Sequence, residues 1–170
     1  METAAYLAEA CRLLLLVAFV SAAWTKTIDL AAFSASLVDS FRVPTELGKA
    51  LAVVIASAEW MAVALMLSGA WSRAGVGVAL LLLVAFTAAV AGILIEKRQA
   101  YCSCFGRSRH PVSPVDLIRN SLYILACGFY LLHAPPPMPV GLLAQSALLM
   151  LAVPCFLISI SLNEIRLLLR

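Results

Sequence analysis

From Ala74 to Ile95 the chain runs between Arg73 and Glu96 without one charged side chain. A helix of that length rises about 33 Å at 1.5 Å per residue, enough to cross a hydrocarbon core roughly 30 Å thick. Ala50 to Ser72 is a second such run, broken only by Glu59, and Pro139 to Asn163 a third, interrupted by Pro154. The apolar stretch between Arg12 and Lys26 is too short alone, so its helix must begin near Ala5 and take Glu9 and Arg12 into its first turns. Val115 to Leu132 likewise needs Asp116 and Arg119 near its start, where arginine can snorkel to the interface. Ala134-Pro135-Pro136-Pro137 ends that helix, because proline cannot continue the hydrogen-bond ladder. The expected spans are residues 5–25, 48–70, 74–95, 114–133 and 139–163.

With 64% hydrophobic and 12% charged residues over 170 positions, a soluble domain could not hide the apolar surface. The fold class expected is all-α: an integral membrane helical bundle in one domain. It has a four-helix core, a fifth C-terminal transmembrane helix and a short interfacial helix. The net charge of +3 is modest and no basic block marks a nucleic-acid partner; the partner the composition implies is the lipid bilayer. Met1 to Cys11 carries Glu2 and Glu9 and no cation, a poor start for a signal peptide, so the first segment reads as a retained helix.

Residues 28–41 carry a helical stripe of Leu30, Phe33, Leu37 and Phe41, with Asp29, Ser36, Asp39 and Ser40 on other faces. The segment is too polar to span and reads as the interfacial helix. Chain order puts it on the same membrane side as the loop 96–113. It is a connector, or a lid over that loop. Small residues four apart, Ala52/Ala56, Ala85/Ala89 and Ala88/Gly92, mark positions where helices can approach closely.

Chemistry concentrates in the loop, at Cys102-Ser103-Cys104-Phe105-Gly106. The thiolate is the nucleophile of disulfide exchange, and the nearby cations Arg107, Arg109 and His110 favour it. A bridge across one intervening residue closes a small, strained ring and restrains almost nothing, which suits a labile redox disulfide better than a structural one. Phe105-Gly106 adds an apolar group and a backbone-free turn. Zinc is the rival reading, with Cys102, Cys104 and His110 as three ligands, but a fourth is hard to find and no metal is assigned. Inert thiols stand between the two. Cys11, Cys127 and Cys155 fall within apolar spans and read as small hydrophobes, although Cys11 and Cys127 reach similar depth near the far face.

Glu59 is the second feature, since a carboxylate near mid-membrane needs a proton or a partner. Arg12 is the candidate, because the first two spans run antiparallel and both residues lie toward the same face. The pair is then a structural tie, or Glu59 is a proton carrier or polar contact for a buried ligand. Arg119-Asn120 opens the fourth span just beyond the thiols. These two side chains either support the loop or anchor the helix at the interface.

These elements together resemble a known family, the methylamine-utilisation MauE branch of the DoxX-like membrane proteins. The matching features are Lys26, Phe33, Val43-Pro44, Glu59, Phe86-Thr87, the Cys102-Ser103-Cys104-Phe105-Gly106 element and Arg119-Asn120, over roughly residues 15–130. Ser103 departs from the glycine common there. The resemblance implies a bundle that works with a thioredoxin-like partner in disulfide formation of exported proteins. Electrons would pass from the partner's dithiol to Cys102/Cys104. A membrane quinone is the candidate acceptor, by analogy with other membrane thiol oxidoreductases, although no quinone motif is visible.

Five spans place Lys26, Arg42, Lys49, Lys97, Arg98, Arg107, Arg109, Arg119, Arg166 and Arg170 on the side of the thiols, against Arg12 and Arg73 on the other. The positive-inside rule makes that side cytoplasmic. The implied role makes it extracytoplasmic, where disulfides persist; we read it as extracytoplasmic. The leading reading is a membrane thiol–disulfide oxidoreductase. The alternatives are a non-enzymatic assembly subunit that docks a redox partner, and a metal-binding or small-ligand membrane bundle built on Glu59.

Overall fold

The computed structural model describes residues 2–41, 43–96, 113–133 and 142–168. Six helices follow in order: α1 Glu2–Ile28, α2 Leu30–Phe41, α3 Thr45–Leu67, α4 Ser72–Ile95, α5 Pro114–His133 and α6 Leu142–Leu168, with no strand among the described residues. Four segments are long and apolar enough to cross a membrane: Thr3–Ile28, Thr45–Leu67, Ser72–Ile95 and Pro114–His133. They form an α1–α3–α4–α5 bundle, and α6, with Pro154 inside it, packs chiefly on the outer side of α1.

α1 and α2 are almost one helix. Asp29 N donates to Thr25 O and Phe33 N to Asp29 O, so the i→i−4 pattern carries across the break. Asp29 also caps α2 by accepting from Ala32 N at 3.1 Å. α2 runs antiparallel along the first half of α3. Its apolar stripe turns to that helix: Phe33 and Leu37 are buried with Ala52, and Leu30 packs on them. Gly48 permits the contact, because a Cβ there would lie 2.7 Å from Val38 Cγ2.

The second span ends earlier than its apolar composition implies. α3 stops at Leu67, and Gly69 adopts φ +64° in the turn to α4, a conformation that favours glycine. Past the turn, Gly75 lets α4 close on α3. A Cβ at Gly75 would come within 2.6 Å of Met66 N and 2.9 Å of Ala62 O. Backbone cannot yield as a side-chain tip can, so Gly75→Ala is expected to destabilise the bundle by about 1–3 kcal/mol. Gly77→Ala, which meets only open space, is expected to be neutral or slightly stabilising. Thermal unfolding of the two variants in one detergent checks the contrast.

The core is assembled from Ala8, Leu15, Ala18 and Phe19 on α1, Ala62, Val63 and Met66 on α3, Val76, Ala79 and Leu83 on α4, and Tyr123, Cys127 and Tyr130 on α5, with Phe156 of α6 joining it. Alanines fill several contact positions, as bilayer packing favours. Of the small-residue pairs in the sequence, Ala52/Ala56 is buried, whereas Ala85 and Ala88 are exposed on the outside of α4. Tyr123 OH shares a hydrogen bond with Ser159 Oγ, tying α6 to α5, and Tyr130 OH donates to Ser72 Oγ at the far end.

Candidate functional site

Where α1 passes the middle of α3, the bundle encloses a charge pair. Lys26 is 1% exposed and Glu59 2%, and Lys26 Nζ donates to Glu59 Oε1 at 2.7 Å. One position along each helix, Trp60 Nε1 donates to Thr27 Oγ1 at 3.0 Å, a second rung of the same ladder. The ammonium also lies 5.2 Å from the Phe33 ring centroid and 5.5 Å from that of Phe86, where cation–π attraction replaces part of its lost hydration. An ion pair this deep is tolerable only because its charges are matched and hydrogen-bonded.

α5 completes the site. Its start is built by a capping box, Ser113-Pro114-Val115-Asp116. Asp116 Oδ2 accepts from Ser113 N at 2.9 Å, and Pro114 occupies the first helical position, where its missing N–H costs nothing. Asp116 Oδ1 also pairs with Arg119 Nη2 at 3.2 Å. Arg119 and Asn120 are both buried in the bundle. Asn120 reaches a cavity that it shares with Lys26 and Glu59, walled by Phe19, Ala22, Leu83 and Phe86.

The structure therefore brings together Lys26, Phe33, Glu59, Phe86 and Asn120, residues spread over α1, α2, α3, α4 and α5. It does not bring Arg12 to Glu59. Arg12 pairs with Glu9 on its own helix and donates through Nη1 to Met66 O, in the last turn of α3. Lys26 stands fourteen residues further along α1, about 21 Å away, and it is the partner of Glu59. Arg12 instead satisfies one of the carbonyls that a helix end leaves open.

Cys102, Ser103, Cys104, Phe105, Gly106, Arg107, Arg109 and His110 lie outside the described residues. Chain connectivity alone ties them to the end of α4 and the start of α5, and Asn120 follows Pro114 by six residues, about 9 Å of helix. Cys11, Cys127 and Cys155 are free thiols, partly buried, buried and exposed in turn. Among the described residues no three histidine, cysteine or carboxylate side chains gather as a metal site. Sequence reasoning missed Phe19, Ala22 and Leu83 as cavity walls, since nothing separates them from ordinary core residues. The Ser-x-x-Asp cap before an apolar run was a readable signal for how α5 begins.

Membrane-length helices packed around a buried polar cluster define a multi-pass helical membrane protein. The chain belongs to the MauE family: the family model described as methylamine utilisation protein MauE matches residues 4–133, more than half of the chain. The match takes in α1 to α5 and stops before α6. No curated protein and no solved structure matches it.

Proposed function

We propose that this chain is a membrane thiol–disulfide oxidoreductase whose redox centre is Cys102 and Cys104. What carries the reading is the Cys102-Ser103-Cys104-Phe105-Gly106 element with Arg107, Arg109 and His110 beside it, in a chain of the MauE family. A thioredoxin-like partner's thiolate attacks the Cys102–Cys104 disulfide; that S–S bond breaks and a mixed disulfide forms. The partner's second thiolate resolves it, leaving the partner oxidised and Cys102/Cys104 as a dithiol holding the two electrons. Re-oxidation delivers two electrons and two protons to a membrane quinone. The net result is disulfide formation in exported proteins, in service of methylamine utilisation.

This chemistry belongs on the extracytoplasmic side. The placement rests on the implied role against the cation count: Lys26 and Arg119 are buried in the bundle and do not act as loop charges, but Arg12 on the other side is likewise paired within it. In the test, Cys102→Ser and Cys104→Ser are expressed with the partner. One of them is expected to accumulate a mixed disulfide that reductant releases. Normal partner oxidation by both variants would overturn the proposal.

A further inference from the structure

The buried cluster offers two acceptors to one small space. Glu59 is 2% exposed and Asn120 4%. Glu59 Oε1 is occupied by Lys26 Nζ, whereas Glu59 Oε2 and Asn120 Oδ1 have no hydrogen-bond partner among the described residues. Buried acceptors of this kind are costly to leave undonated, and more so when charged. Both residues line the cavity, which has about 20 Å³ of space open to the centre of a water-sized sphere. A single water needs roughly 10–15 Å³ by that measure.

Water meets the demand of the site, since it has two donors for two acceptors. We propose that the cavity is an internal water site, in which one water donates to Glu59 Oε2 and to Asn120 Oδ1, and through which a proton on Glu59 exchanges whenever the carboxyl carries one. The assignment survives a flip of the Asn120 amide, in which case the water accepts from Nδ2. The result is one polar chain, Lys26–Glu59–water–Asn120, that joins α1, α3 and α5 through an otherwise apolar bundle. The inference does not rest on the thiol chemistry, and either can fail alone.

The test reads proton exchange at Glu59 itself. In the full chain carrying Lys26→Met, in lipid nanodiscs, Glu59 loses its cation and holds a proton. Its carboxylic-acid C=O band is identified by its absence from Lys26→Met/Glu59→Gln. On transfer to D2O the band is expected to shift at a resolvable rate. Adding Asn120→Leu removes an acceptor and fills the cavity, and the shift should slow by about tenfold, the rate equivalent of one lost hydrogen bond. No carboxylic-acid band, or exchange indifferent to Asn120→Leu, overturns the proposal. A density map of the wild-type protein at water-resolving resolution gives a second readout that does not depend on the variants folding. A peak within hydrogen-bond distance of both oxygens is expected, and no peak there would refute the site.

Discussion

Glu59→Leu is expected to cost more stability than any other single substitution in the bundle, about 3–5 kcal/mol, the range for removing one partner of a buried ion pair. The loss strands the Lys26 ammonium between Phe33 and Phe86, whose ring faces, already engaged in the intact pair, cannot stand in for the carboxylate. Lys26→Met is expected to cost less, because a carboxyl left alone can take up a proton and become neutral. Lys26→Met/Glu59→Leu removes both charges together and is expected to recover most of the loss, since well-packed apolar replacements often match or exceed such a pair. A double-mutant cycle by unfolding in a fixed detergent should return a coupling of about 2 kcal/mol or more for Lys26 with Glu59, and close to zero for Arg12 with Glu59. A large Arg12–Glu59 coupling would mean that the helices sit in a different register.

Loss of either thiol is the second large effect. Cys102→Ser and Cys104→Ser should each reduce catalysed oxidation of a thioredoxin-like partner to the uncatalysed background, and the double variant should be no worse, because the two sulfurs act as one unit. Cys155→Ser, at an exposed position on α6, should retain the wild-type rate. Partner oxidation followed by gel shift of alkylated thiols measures all four. Full activity in the double variant, with folded protein present, would make the chain an assembly subunit whose thiols are incidental.

Much of the architecture was legible in the residues. The charge-free stretch Ala74–Ile95 and the prolines after Ala134 bounded helices that the fold reproduces, and residues 114–133 became α5 at those limits. The end of α3 was harder, because Ala70 and Trp71 prolong the apolar pattern past a turn that only the Ser68-Gly69 pair announces. Glu59 was recognisable as a residue in need of a partner, but depth counted from span ends selected Arg12, the wrong cation on α1. That choice is made by how α1 crosses α3, which is tertiary packing and leaves no periodic trace. Lys26 and Phe86 were tied to the site only through the resemblance, and Phe33 and Asn120 were read for other roles. The fold supplies the physical reason that they occur together: they surround one carboxylate.

Labelling of intact cells tests directly whether Cys102 and Cys104 form an extracytoplasmic redox disulfide. A bulky, membrane-impermeant maleimide is applied with and without prior reduction, to the wild type and to Cys102→Ser/Cys104→Ser. Labelling from outside that requires reduction and disappears in the double variant is expected. Labelling only after permeabilisation, with no need of reductant, would place free thiols in the cytoplasm and contradict the proposal.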